Sequence, residues 1–259
     1  MAVPLFIFAA TICRFVGDND WLPEERLAAV LQDEAATSTS DIERTYLPVL
    51  NQLILSKNER DCERLMEEFQ NIVGIIILLA TPLSVIALAR LTGIPQRTIS
   101  NRLNRFHSVL NIPDEPHQPI RILHLSFRDF LVNTTSTFHV DEKETHRKIL
   151  SHCFRVMDTG LKQNICGLSS YGTQRTNIDI EVINEHLSAD LQYSCRYWIY
   201  HFEHSYSHIT RPRAFDFMRK HFLHWLEALS LMGVISEAVA MMDILQSGAG
   251  VSFCAFTLE

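Results

Sequence analysis

Eighteen consecutive residues without a charge, Ile72 to Ala89 (IVGIIILLATPLSVIALA), set the tightest limit on what this chain can fold into. As a single helix the run would reach ~27 Å at ~1.5 Å per residue, close to the thickness of a bilayer core. Thr81-Pro82 inside it argues for another outcome, because proline removes a backbone donor, clashes with the preceding turn and favours a helix start. The run therefore reads as the end of one buried helix and the start of a second. The other apolar stretch, VPLFIFAATIC from Val3, lacks the basic residues that open a signal peptide and reads as a packed helix. No membrane partner is expected.

Composition narrows the partners further. With 259 residues, 47% hydrophobic and 20% charged, the chain can bury a sizeable core and is neither disordered nor collagen-like. Its 23 Lys and Arg stand against 30 Asp and Glu, a net charge of -7, so no overall positive field holds nucleic acid or anionic lipid. The six cysteines form no C-x-x-C pair and are too sparse for a disulfide scaffold, which points to a reducing, cytoplasmic setting.

The spacing of apolar residues predicts a mainly α fold. Pro4 opens a first helix that Gly17 stops, and Pro23 starts a short amphipathic helix through about Gln32. Asp41 is read as the cap of a helix carrying Tyr46 and Leu50, and a long helix follows from about Glu59 to Leu79. Next come helices at Leu83 to Leu91 and Pro95 to His107, with Gly93 in the turn between them. Val109 to Ile112 and Ile120 to Leu123 flank a Pro-rich loop as a β-hairpin. Helix, turn, helix, hairpin is the order of a winged helix with a small β-wing. A C-terminal helical extension follows: Glu142 to Met157, Leu187 to Phe202, Pro212 to Ser230 and Gly233 to Leu245, with residues 164–180 read as a loop. The expected divisions are a helical subdomain at 1–78, a winged helix at 79–140, a helical linker at 141–247 and an unpatterned tail at 248–259.

Chemistry-bearing residues are few. On the second helix of the winged-helix segment, Arg97 and Asn101, with Arg105 just beyond, are residue types that read base edges and phosphates. Residues 83–133 hold six arginines against three acidic side chains. A DNA-binding winged helix is thus one reading; a solvated face on a protein-packing module is the other, and nucleic acid is the less expected partner. His201, His204 and His208 recur at helical spacing after Cys195, but beside Tyr197, Trp198 and Tyr200 they read as aromatic packing, so no metal is expected. His221 and His224 are read as packing an amphipathic helix with Trp225 inward. GLSSYG at 167–172 lacks the G-x-S-x-G pattern of a nucleophile elbow, leaving no catalytic candidate. None of the nine glycines precedes a lysine, so the phosphate loop G-x-x-x-x-G-K-[ST] is missing and no NTP hydrolysis by this chain alone is expected.

At HLSFRDFL, His124 to Leu131, following VPLFIFAATICRF, TYLPVLNQL, PLSVIALARLTGI and HSVLNIP, and joined later by HFLHWLEALSL, the chain resembles the fungal NACHT and WD-repeat proteins of the vegetative-incompatibility type. These belong to the signal-transduction NTPases related to NOD-like receptors. The resemblance runs from residue 3 to about 247. It implies a regulatory switch and linker region that couples nucleotide state to domain arrangement, lying between an NTPase core and a WD-repeat sensor, with ADP or ATP bound in the parent protein and oligomerisation on activation. It also implies a truncated or split product, and no cofactor bound by this chain alone. Val3-Pro4-Leu5 resemble the later part of the Gly-x-Pro-Leu motif, with Ala2 in place of the glycine, which makes Pro4 a base contact. His124 resembles the histidine of the Met-His-Asp motif, which reaches the nucleotide diphosphate; Leu123 and Leu125 replace the Met and Asp, and Arg128-Asp129 fall where relatives have Arg-Asp.

Overall fold

A computed structural model describes residues 3–17, 23–24, 26–28, 40–54, 58–170, 172–205 and 210–249. Among them the chain is mainly helical, with one small two-stranded antiparallel sheet. It divides into two compact units, one of residues 1–86 and 94–141, the other of residues 87–93 and 142–259. The cut passes through a helix, Val85–Thr92, and the 78/79 division lies inside the first unit.

In the first unit, α1 (Val3–Val16) lies against α2 (Asp41–Ile54), where Phe15 and Val49 are buried with Ile12 and Val16 beside them. The short helix expected from Pro23 is helical at 23–24 and 26–28; its remainder lies outside the described residues. The cap of α2 is Ser40 rather than Asp41. Ser40 Oγ accepts from the Glu43 amide at 3.3 Å, and the Ser40 amide donates to the Glu43 carboxylate at 3.1 Å. This reciprocal S-x-x-E box satisfies two donors that a helix start otherwise leaves open.

The helix expected from Glu59 is α3 (Glu59–Phe69), capped by Asn58, and it continues through a π-helical turn, Gln70–Gly74, into α4 (Ile75–Leu78). Every residue from Ile72 to Leu78 is buried. A helix apolar on all sides is enclosed by its own protein. Leu79 then turns extended, so the uncharged run breaks before Pro82 and resumes in α5 (Val85–Thr92). No helix among the described residues is long and apolar enough to cross a membrane.

Helix α5 ends on Gly93, whose φ of 77° closes the C-terminal turn through a 2.8 Å bond from its amide to Ala89 O. Only glycine enters that region without strain. Helix α6 (Gln96–Leu103) stops short of His107: Arg105 and Phe106 bond back three residues, tightening the chain into turns at Asn104, a poor helix former. Pairing in the hairpin is also shorter than expected, with β1 (Leu110–Asn111) against β2 (Arg121–Ile122) in the register Leu110↔Ile122 and Asn111↔Arg121. The segment before α5 adds a bridge between Ser84 and Pro119 and a 2.9 Å bond from the Ile120 amide to Leu83 O. Immediately after β2, α7 (Leu125–Asn133) packs its Phe127 and Phe130 rings 5.1 and 5.4 Å from that of Tyr46 in α2.

The second unit is built on α8 (Glu142–Gly160) and α10 (Ala189–His204). They pack tightly at Gly160, where a Cβ would stand 3.0 Å from Leu191 Cδ2. Helices α11 (Thr210–Met232) and α12 (Glu237–Ala249) belong to it as well. The core between α8, α10 and α11 is aromatic: Phe154, Trp198, Phe217 and Trp225 meet edge-on or tilted at 5.3 to 6.1 Å. Trp225 is inward as expected, its Nε1 donating to Cys195 O at 2.8 Å. Arg196 holds Glu237, in the first turn of α12, through two bonds of 2.9 and 2.5 Å. The supposed loop 164–180 contains a 3₁₀ turn, Arg175–Asn177, and leads into an unexpected helix, α9 (Ile180–His186), capped by Asp179. Residues 250–259 of the expected tail lie outside the described residues.

Candidate functional site

His124 occupies the junction between β2 and α7, and the local sequence explains why it is held there. It is the N-cap of α7, with extended backbone at φ -149° and ψ 139°. Its Nδ1 accepts from the Ser126 amide at 3.1 Å and meets Ser126 Oγ at 2.8 Å. An amide can only donate, so Nδ1 carries no proton and the neutral ring holds its hydrogen on Nε2. That Nε2–H has no protein partner among the described residues, and the residue is exposed.

Behind the imidazole the network runs inward. Tyr46 is buried, and its hydroxyl lies 2.8 Å from Ser126 Oγ. Burial pushes the phenol above its ordinary range, with the Ser126 bond opposing and the Asp129 carboxylate assisting. The protonated phenol donates to Ser126 Oγ, and Ser126 in turn donates to Nδ1. The arrangement Tyr46, Ser126, His124 thus fixes the ring and its tautomer from within α2 and α7. Chemically it presents one oriented N–H donor at an exposed helix start, suited to an anionic oxygen. Arg128 is half-buried and Asp129 exposed on the first turns of the same helix. Pro4 lies in the first turn of α1, but its ring falls outside the described side chains.

The second candidate surface is the outward face of α6. Ile99 and Leu103 are fully buried, which leaves Arg97 and Asn101 exposed together at i, i+4, with Arg105 exposed in the turn beyond. Arg102, on the flank of the helix, is paired with Glu68 of α3, which also accepts from Arg64 at 3.1 Å. One arginine of the segment is thereby neutralised within the fold.

The histidines of α10 are engaged in packing and hydrogen bonds. His201 is fully buried and bonds Tyr193 Oη through Nε2 at 2.7 Å and His146 of α8 through Nδ1 at 2.8 Å. His204 gives its Nδ1 to the Tyr200 carbonyl at 2.8 Å, and His208 lies outside the described residues. Among the described residues no group of three or more His, Cys, Asp or Glu is arranged to hold a metal ion. Burial pushes the Cys195 thiol up and the Cys153 thiol up to about 12, which removes both as nucleophiles. His221 is buried and stacked on Phe217, beside Asp158 of α8.

No family model and no solved structure matches the chain. It is 22% identical over 272 aligned residues to the vegetative incompatibility protein HET-E-1 of Podospora anserina. That alignment takes in 95% of this chain but 19% of the fungal protein, so the chain spans about a fifth of that relative's length. The likeness supports a distant relationship to a vegetative incompatibility protein.

Proposed function

We propose that this chain is the switch and linker region of a NACHT-type signal-transduction NTPase, coupling the nucleotide state of an NTPase core to domain arrangement without hydrolysing nucleotide itself. The distant likeness to a vegetative incompatibility protein supports the class. The observation that carries the mechanism is the oriented Nε2–H of His124, held by Ser126 and Tyr46. An ADP or ATP held by the neighbouring core supplies the phosphate charge. His124 donates to a phosphate oxygen, Pro4 stacks on the base, and the α5 to β2 segment acts as a winged helix that docks while this contact lasts. Release of the contact frees the region to swing, because only a group that touches the ligand in one state and not the other shifts the balance. The WD-repeat sensor lies in cis, and oligomerisation follows opening in the cytoplasm.

The test needs a protein that includes the NTPase core. His124→Asn keeps a capping acceptor but removes the imidazole N–H, so it separates contact from fold. Bound ADP should leave His124→Asn and His124→Ala at least fivefold faster than the parent. Wild-type retention in both would end the reading.

The exposed Arg97 and Asn101 on α6 favour a second reading, a DNA-binding winged helix. It predicts duplex binding that weakens steeply between low and moderate salt, in proportion to the phosphates neutralised, and that fails in Arg97→Ala and Asn101→Ala. The switch reading predicts no duplex binding even at low salt.

A further inference from the structure

A cleft of about 480 Å³ opens in the second unit between the segment 163–178 and one face of α11. That volume lies inside the ~300–1,000 Å³ typical of small-molecule sites. Its wall is pinned: the Glu227 carboxylate accepts the amides of Asn164 and Ile165, each at 3.0 Å. Asn164, at φ 51°, braces the next turn by accepting from the Leu168 amide at 2.8 Å and donating to the Leu168 carbonyl at 2.9 Å. Glu227 keeps its charge but turns both carboxylate oxygens to these backbone amides and forms no ion pair with Arg175, the one cation in the lining. Its half-buried guanidinium lines the cleft and has no carboxylate or carbonyl partner among the described residues. His224 faces it from α11, sharing Nδ1 with His221 at 3.3 Å and leaving Nε2 without a partner among the described residues. The remaining lining mixes polar side chains, Gln163, Ser170, Thr173 and Ser230, with Leu168, Ile178, Leu231 and Leu223, which is 71% exposed.

We propose that this cleft binds a small amphiphilic anion, its carboxylate or phosphate head against Arg175 and His224 and its hydrocarbon body along Leu223 and Leu231. Each half answers a feature of the cleft: a half-buried cation that forms no ion pair among the described residues, and an exposed leucine on the helix that also lines the cleft with Leu231. The switch reading plays no part in this, since His124 belongs to the other unit.

The test titrates the whole chain with octanoate, octyl phosphate and octanol, followed by amide NMR shifts and calorimetry. At least one of the two anions should move the amides of Leu168, Arg175 and Glu227. Its affinity should exceed that of octanol and fall at least tenfold in Arg175→Gln and several-fold in Leu223→Ser, two surface changes that leave the core intact. The tighter head group identifies the source as carboxylate or phosphate. Octanol binding as well as the anions, an unchanged affinity in Arg175→Gln, or no shifts at millimolar probe would each overturn the proposal.

Discussion

With Nδ1 of His124 accepting from the Ser126 amide, replacing the imidazole by a methyl group removes a helix cap and an outward-facing donor together. Loss of a cap costs roughly 1 kcal/mol. His124→Ala should therefore lower the urea stability of this chain by about that much, while His124→Asn, whose side chain also caps, should stay within about 0.5 kcal/mol of the parent. Equal losses in both would mean the imidazole is held for some reason other than capping. Tyr46→Phe probes the same network from the inside. It removes the buried donor to Ser126 and should cost on the order of 1 kcal/mol in the same denaturation. The capping role was not legible in the sequence. The HLSFRDFL string signalled a nucleotide-reaching histidine by resemblance, yet nothing in the string reports that Tyr46, 80 positions before Ser126, lies behind it. Likewise Ile99 and Leu103 foretold which face of α6 is exposed, but not that Glu68 of α3 takes Arg102.

Helices were readable where periodicity is sustained and punctuation is strong, as at Gly93 and Pro82, and were misread where the signal is brief. Helix α9 has seven residues, too few to show two turns of an apolar stripe. Its Asp179 cap followed by Glu181 was the available clue. The S-x-x-E box at Ser40 was also in plain sight, one residue before the position read as the cap. The π turn at Gln70–Gly74 was not readable, because it depends on what surrounds the buried Ile72, Val73 and Gly74. Gly160 shows the same dependence on packing. A methyl there would crowd the Leu191 methyls at 3.0 and 3.2 Å, while the helix gains from losing a glycine, so Gly160→Ala should be near neutral. A larger side chain has nowhere to go between α8 and α10, and Gly160→Leu should cost about 1–3 kcal/mol. A Gly160→Leu chain as stable as the parent would show that α8 and α10 are loosely packed there.

Across the second unit the buried imidazoles set how the molecule responds to acid. Burial, then the Arg155 and Lys148 charges, hold His152 down at about 4. Burial, then the neighbouring His146 and His204, hold His201 well below its ordinary value. Burial and Lys220 lower His221, against the opposing pull of Asp158 and with a further push from His224. In each case the unfolded chain, titrating near ~6.5, takes up protons that the folded chain refuses. Stability rises with pH wherever the unfolded state binds more protons. The contribution is complete above about pH 7, is lost as pH falls below ~6.5, and keeps falling until the folded groups titrate, near 4 for His152. Trp198 and Trp225 are fully buried in this unit and report its unfolding; Trp21 lies outside the described residues. The urea midpoint followed by tryptophan fluorescence should therefore drop between pH 7.5 and pH 5. His201→Gln keeps an acceptor for Tyr193 but cannot titrate, so its midpoint should fall less over the same interval. A flat profile, or one that rises toward acid, would mean that these rings are not buried neutral in the packed α8 and α10 pair. An undiminished slope in His201→Gln would move the response onto His152, which faces the charges of Lys148 and Arg155, and His221, which faces Lys220, Asp158 and the His224 ring.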